Sequence, residues 1–512
     1  MQTNRIRTAN SRDLNASGRY VLYWMQAFRR LHSNHALDCA LRWSRELSKP
    51  LVVYEGLKRD YPWANARHHA FMLDGMRDNA AAAKKLGLAY WPFVEAPDQP
   101  GRGLVRKLAE DACLVVTDDY PAFIVPAHNR ALANCSVPVH LLDGNSLVPL
   151  SLLGPAASAA AHLRHRIHAN FAEAWRNRAA AEPEIPKAAK STLEPPFPAW
   201  SGDATEAEVD PSVPPAPGIR GGSMAGRAVL AEFVTKKLPR YAEHRNDPED
   251  PADGAASRLS PYLRHGHLSI QQVAEAVLGD AWSPDEIDPK CKGKREGFYT
   301  RDANAGSFLD EAITWRDTGY HWHFARNAEL EAQNAECGTV SRFTPQSEPR
   351  IPQFNFETFD FSPLGKRALE VVLPEWAKAT LRKHVSDKRE FTYTLEEFEA
   401  AATHDDLWNA AQRELVRTGR IHNYLRMLWG KKVLEWSPTP SDAYRVLEHL
   451  NNKYAIDGRD PNSYTGILWC FGLFDRPWFE REVFGSVRYM SSANTAKKFD
   501  LDGYLRYVNG LK

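Results

Sequence analysis

Apolar and polar positions alternate in blocks along roughly the first 150 residues. Short apolar runs recur at Tyr20–Trp24, Pro50–Tyr54, Leu88–Val94, Cys113–Thr117 and Val137–Leu142. Each has the length of a strand buried on both faces. Between several of them the pattern becomes helical, from Asn34 to Leu47 and from Asn65 to Leu86. Buried strands alternating with amphipathic helices predict a parallel sheet covered on both sides. The expectation is a doubly wound, Rossmann-like α/β domain over residues 1–155. Such a fold alone does not define a function, and no G-x-G-x-x-G follows the first strand, so the dinucleotide fingerprint is missing.

A helical pattern from about Ala156 to Ala181 comes next, and residues 183–222 are then rich in Pro, Ala, Gly and Ser. Segments such as Glu194-Pro-Pro-Phe-Pro bury little surface, so residues 156–223 read as a helical and Pro/Ala-rich connection between domains. Helical periodicity resumes at Met224 and continues to the end, interrupted by an irregular stretch over about Ala335–Pro363. Residues 224–512 are therefore expected to form a larger all-α domain.

Composition narrows the classes only a little. The chain has 512 residues, 43% hydrophobic and 25% charged, an ordinary globular balance at a length that favours more than one domain. Its formal net charge of +1 gives no overall signal for nucleic acid, although a balanced total can hide a basic face. No apolar run is long enough to cross a bilayer. The polar start, Met1-Gln-Thr-Asn-Arg, lacks the apolar core of a signal peptide. The six cysteines lie far apart with no C-x-x-C pair, as expected of reduced thiols in a cytoplasmic, monomeric protein with neither disulfides nor a metal site. Fifteen tryptophans are the one oddity, and most are expected to be core.

Candidate chemistry concentrates in the C-terminal part. Ser257, Arg258 and Ser260 set hydroxyls and positive charge just before an apolar helix beginning near Pro261, a combination that suits a pyrophosphate. It is also an ordinary helix start. Asn423 and Arg426 lie three apart on one helix face. Asp457 and Asp460 occupy a Gly-containing turn that complements that arginine. Trp429 and Trp436 are two helical turns apart and share a face, with Trp408 on a preceding helix that ends before Gly419; aromatic packing is the usual meaning of such a stripe. Glu311 and Trp315 are four apart, and Phe308, Leu309 and Ile313 around them imply partial burial. Basic residues cluster as Arg413, Arg417, Arg420, Lys431 and Lys432, then as Arg488, Lys497 and Lys498.

Several long motifs occur in register. They include Tyr20-Val-Leu-Tyr-Trp-Met-Gln, Pro50-Leu-Val-Val-Tyr-Glu-Gly-Leu, Ser257-Arg-Leu-Ser-Pro-Tyr-Leu with Gly266, and Asp405-Asp-Leu-Trp-Asn-Ala-Ala-Gln. After them come His422-Asn-Tyr-Leu-Arg-Met-Leu-Trp-Gly-Lys-Lys-Val-Leu-Glu-Trp, Leu450-Asn-Asn-Lys-Tyr, Asp457-Gly-Arg-Asp-Pro-Asn and Val483-Phe-Gly-Ser-Val-Arg-Tyr-Met. In order and spacing they resemble the DNA photolyase/cryptochrome superfamily, in particular its class II cyclobutane pyrimidine dimer photolyases, over nearly the whole chain. Two places depart from the pattern: Arg316-Asp-Thr-Gly-Tyr-His-Trp-His-Phe after Trp315, and Leu468-Trp-Cys-Phe-Gly-Leu-Phe-Asp, one residue shorter than usual. Both fall near the expected substrate pocket.

The resemblance implies an all-α FAD-binding domain and light-driven repair of UV-damaged DNA, an electron passing from reduced FAD to the dimer and returning. It places flavin contacts at Tyr241, Ser257, Arg258, Leu259, Ser260, Asn423, Arg426, Asn451, Asp457 and Asp460, with Asn451 facing flavin N5. It places an electron path from the flavin through Trp429 and Trp408 to Trp436 near the surface. The same resemblance gives Glu311 a hydrogen bond to the damaged base, makes Trp315 and Trp469 an aromatic wall and has Met427 line the cavity. Arg488, beside Tyr489, would fill the gap left by the extruded dimer, and Lys431 and Lys432 would reach DNA phosphates. An antenna chromophore of the 8-hydroxy-deazaflavin type in the α/β domain, or none, remain equally open. Two rivals stand beside this reading. A (6-4) photolyase needs a histidine acid, for which His321 or His323 would serve. A cryptochrome-like light sensor would keep the flavin and lose the lesion contacts. The presence of Glu311, Trp315, Trp469 and Arg488, and an end at Lys512 without an extension, favour the enzyme.

Overall fold

The computed structural model describes residues 3–198, 200, 202, 209–248, 254–336 and 368–511. All five expected strands form: β2 (Tyr20–Met25), β3 (Leu51–Leu57), β4 (Ala89–Val94), β5 (Ala112–Asp118) and β6 (Val139–Leu142). A sixth, β1 (Ile6–Thr8), was not anticipated. It is a short, mostly exposed edge strand without an apolar run, and its place comes from antiparallel pairing with β6. The sheet order is β1-β6-β5-β2-β3-β4, parallel apart from β1. The two helices read between strands begin where side-chain caps are available. Asn34 accepts from the amides of Ala36 and Leu37 at the start of helix His35–Leu47. Asn65 accepts from His68 N at the start of helix Ala66–Leu86, which ends at Gly87 with φ 74°, where only glycine is unstrained.

The helical stretch expected over Ala156–Ala181 forms as Ala160–Arg176. Helices then dominate from Gly222 to Gly510. Helix Arg316–Glu336 runs to the edge of the expected irregular stretch, and the rest of that stretch, from 337 on, lies outside the described residues. Helices Asp406–Thr418, Asn423–Trp436, Pro440–Tyr454 and Pro461–Cys470 pack around a second core containing Trp408, Trp429, Leu447 and Leu468. The first core is continuous between the two parts of the chain, passing from Val21, Tyr23 and Val53 of the sheet to Tyr262, Leu309 and Tyr464.

Polar groups reinforce this junction. Arg67, 2% exposed on helix Ala66–Leu86, donates to the carbonyls of Val416 at 2.6 Å and Tyr454 at 3.0 Å. Those carbonyls close two helices of the other core, where a cation is favoured. Among the described residues no helix is long and apolar enough to span a membrane, no group of side chains is arranged to hold a metal ion, and Cys39, Cys113, Cys135, Cys291 and Cys470 are free thiols.

Candidate active site

A cavity of about 1010 Å³ opens among these helices. Its wall brings together Tyr241, Ser257, Arg258, Leu259, Ser260, Asn423, Arg426, Met427, Trp429, Asn451, Asp457 and Asp460, and also Glu311, Trp315 and Trp469.

One wall is cationic. Arg426 donates to both carboxylate oxygens of Asp457, at 3.1 and 3.4 Å, and Ser260 Oγ donates to the same carboxylate at 2.7 Å. Burial alone would raise the Asp457 pKa, but Arg426 and Ser260 outweigh it and hold the carboxyl below its ordinary range. Ser260 is therefore committed to Asp457, and the short helix Ser260–Arg264 has no side-chain cap. Arg258 takes φ +58°, a strained choice for a non-glycine residue. Arg420 and His422 join this wall. Arg420 Nε, Arg426 Nε and His422 Nδ1 are buried without a hydrogen-bond partner. Three guanidiniums, one carboxylate and unspent donors suit a bound polyanion.

Behind the cavity the three tryptophans are contiguous. Trp429 lines the wall, and its Nε1 donates to Gln412 Oε1 at 3.0 Å. Trp408 stacks on it with ring centroids 6.4 Å apart and an interplanar angle of 7°, and donates to the Trp429 carbonyl at 3.0 Å. Trp436 meets Trp408 edge-on at 6.0 Å. Trp436 is 3% exposed, covered by Tyr393, Lys432 and the exposed His404.

On another side Trp315 and Trp469 stand parallel, 5.6 Å apart with an angle of 8°. Trp315 and Glu311 sit on a π-helical segment, Asp310–Trp315, a wider turn that often marks functional sites. Glu311 pairs with Arg245 at 2.6 Å. Burial lifts the Glu311 pKa, and Arg245 offsets part of that. Asp310 beside it is held by Arg164 at 2.7 Å, and Arg295 reaches both acids, at 3.6 Å from Asp310 and 3.9 Å from Glu311.

Other expected placements are corrected. Asp460 does not complement Arg426. Its Oδ2 accepts from Tyr120 at 3.0 Å and Tyr320 at 2.6 Å, and its Oδ1 caps helix Pro461–Cys470. Lys431 and Lys432 do not reach outward to phosphates. Lys431 is 1% exposed and Lys432 is paired with Glu435 at 2.7 Å, because their helix is buried over every position from Leu428 to Leu434. Arg417 is occupied by the Val508 carbonyl at 3.3 Å. Arg488 is exposed, its guanidinium 5.0 Å from the Trp478 ring, with Tyr489 half-buried behind it and Lys497 and Lys498 exposed. His321 bonds the Gly154 carbonyl at 2.8 Å, His323 is buried, and neither is among the cavity's lining residues.

Sequence reasoning missed Arg245, Arg295 and Glu414 as cavity residues and read Arg420 only as part of a basic cluster. Arg245 carried a readable signal, four residues after Tyr241 and therefore one turn along. Glu414 carried none: its partner, Tyr504, is 90 residues away, donating at 2.8 Å, and burial raises its pKa to about 7.

Among solved structures, a bacterial class III photolyase from Agrobacterium tumefaciens is similar, with a TM-score of 0.62 and 17% identity, covering 96% of this chain and 86% of that one. A Synechocystis cryptochrome gives 0.59 and 18%, covering 95% and 88%. At such identities the likeness defines the fold, that of the photolyase and cryptochrome structures. No protein-family model matches the chain. Among curated proteins, a deoxyribodipyrimidine photo-lyase of Methanothermobacter thermautotrophicus is 32% identical over 525 aligned positions, covering 100% of this chain and 99% of that protein. One from Oryza sativa is 32% identical, covering 96% and 88%. The chain belongs to the deoxyribodipyrimidine photo-lyase family.

Proposed function

We propose that this protein binds FAD in the cavity and uses light to split cyclobutane pyrimidine dimers in DNA. The observation that carries this reading is the meeting, in one cavity, of a cationic wall, an indole path and a pair of parallel indoles beside a half-buried carboxylate. When bound and reduced, FAD supplies the electron on absorbing light.

The rest is done by side chains. Arg258, Arg420 and Arg426 neutralise phosphate charge, with Arg420 Nε and Arg426 Nε left without a protein partner. Arg426, held by Asp457, adds fixed positive charge that favours a reduced, anionic ring system. Asn451, 4% exposed, offers an amide that can donate or accept. Trp429 and Trp408, stacked and within contact, carry an electron between the cavity and Trp436. Trp315 and Trp469 give two flipped pyrimidines an apolar surface, an interaction of roughly 1–3 kcal/mol per base. Glu311, oriented by Arg245, bonds the base edge. Arg488, exposed at the surface beside Trp478, enters the gap in the duplex.

The absence of His321 and His323 from the cavity wall favours cyclobutane dimers over (6-4) photoproducts. The test is a repair assay on duplexes carrying each lesion, with reduced protein, in blue light and in darkness. Light-dependent reversal of the cyclobutane dimer alone is expected; reversal of only the (6-4) lesion, or of neither, contradicts the proposal.

A further inference from the structure

Lys431 is a buried lysine with no described carboxylate paired to it. It follows Gly430, where helices Asn423–Trp436 and Pro461–Cys470 come unusually close: a Cβ at position 430 would lie 2.5 Å from Cys470 Sγ. Across that contact the Lys431 ammonium donates to the Cys470 carbonyl at 2.8 Å and reaches the Trp469 carbonyl at 3.5 Å. These are the last carbonyls of helix Pro461–Cys470, where intrahelical donors run out and a cation is favoured. The Trp469 carbonyl also accepts from Gly472 N at 3.0 Å. The backbone behind the Trp469 indole is thus fixed from two sides, while the indole itself faces the cavity, parallel to Trp315.

A buried ammonium is expensive, and an apolar residue of similar length would pack there at lower cost. Burial pulls the Lys431 pKa down to about 8; Cys470, Asp475 and Arg488 are the titratable and charged groups that act on it, with smaller effect. A charge kept in such a place is explained by what it holds.

We propose that Lys431 is a positioning residue for the lesion: it fixes the carbonyl end of helix Pro461–Cys470 and so sets the Trp469 indole parallel to Trp315 before a flipped dimer arrives. This rests on the proposed function, since the lesion is what the two indoles receive. The ammonium acts through the peptide of Trp469 and does not touch DNA, unlike the surface role its sequence neighbourhood suggests.

The test uses the full chain with its flavin bound. Lys431→Met keeps length and removes the charge. FAD content and photoreduction through Trp429 should stay within about twofold of the parent, while the preference for dimer-containing over intact duplex should fall about tenfold, the loss expected for one charged hydrogen bond. Repair KM should rise more than kcat falls. An unchanged preference with FAD retained would overturn the proposal. If the variant fails to fold, the parent supplies a second reading. Between pH 7 and 9 its preference should drop as the ammonium is lost through about pH 8. Stability should not drop in that window, because a lysine whose folded pKa is lowered disfavours protonation of the fold, so stability rises once it deprotonates. A preference constant across that range overturns the proposal equally. A parent with neither FAD nor any preference for damaged duplex would instead contradict the functional reading itself.

Discussion

The pairing of Arg426 with Asp457, 3.1 Å apart and about a quarter or less exposed, sets the first prediction at the scale of single residues. Arg426→Ala leaves a buried carboxylate with only the Ser260 hydroxyl. Loss of about 2 kcal/mol of stability is expected, together with loss of FAD or a lower reduction potential. Thermal melting and the visible spectrum of the purified variant measure both; values equal to the parent's would remove Arg426 from the site. This pair was legible in the sequence as an arginine on one helix and an Asp-containing turn after the next helix. The fate of Asp460 was not. Tyr120 and Tyr320, 340 and 140 residues away, take its carboxylate, and sequence spacing holds no trace of them. Lys431 and Lys432 show the converse error. A basic pair reads as a solvated face, yet the approach permitted by Gly430 sets one ammonium onto a helix end, and the other pairs with Glu435 one turn along its own helix.

At the scale of elements, strands and capped helices were read within three residues, since buried strands and Asn caps are local signals. The π-helical turn at Asp310–Trp315 was not, because its extra residue per turn is set by packing and by the paired acids Asp310 and Glu311. The loop from Trp478 to Arg488 is another such element. Trp478 N donates to Ser486 O at 2.8 Å and Arg481 bridges to Gly485, which projects Arg488 beside the exposed Trp478. Arg488→Ala is expected to weaken binding to intact duplex only slightly while reducing the preference for a dimer-containing duplex about tenfold, and to lessen the salt dependence of binding. Titrations of both duplexes at two salt concentrations measure this; a preference as strong as the parent's would exclude the gap-filling role.

At the scale of the whole molecule, the fold buries several histidines. His69, His267 and His323 are buried, which lowers their pKa values to about 3; charged neighbours lower the first two further. The unfolded chain binds protons at these groups below about pH 6.5 and the folded chain does not. Stability is therefore fully present above pH 6.5 and falls as pH drops toward 3, by about 1.4 kcal/mol per pH unit for each histidine. Urea midpoints at pH 7.5, 6.5 and 5.5 should show a plateau and then a steep decline; a flat profile would mean that the histidines protonate within the fold. On the proposed function, one cavity serves an electron path on one side and a lesion on the other, as separable tasks. Trp429→Phe tests it most directly, since phenylalanine keeps most of the packing but is far harder to oxidise. Oxidised variant in blue light with a reductant should be photoreduced at least about tenfold more slowly than the parent, a barrier increase of about 1.4 kcal/mol or more. The same variant, chemically reduced beforehand, should repair cyclobutane dimers at close to the parent rate. Parental photoreduction in Trp429→Phe, or loss of repair in the pre-reduced variant, would contradict the account.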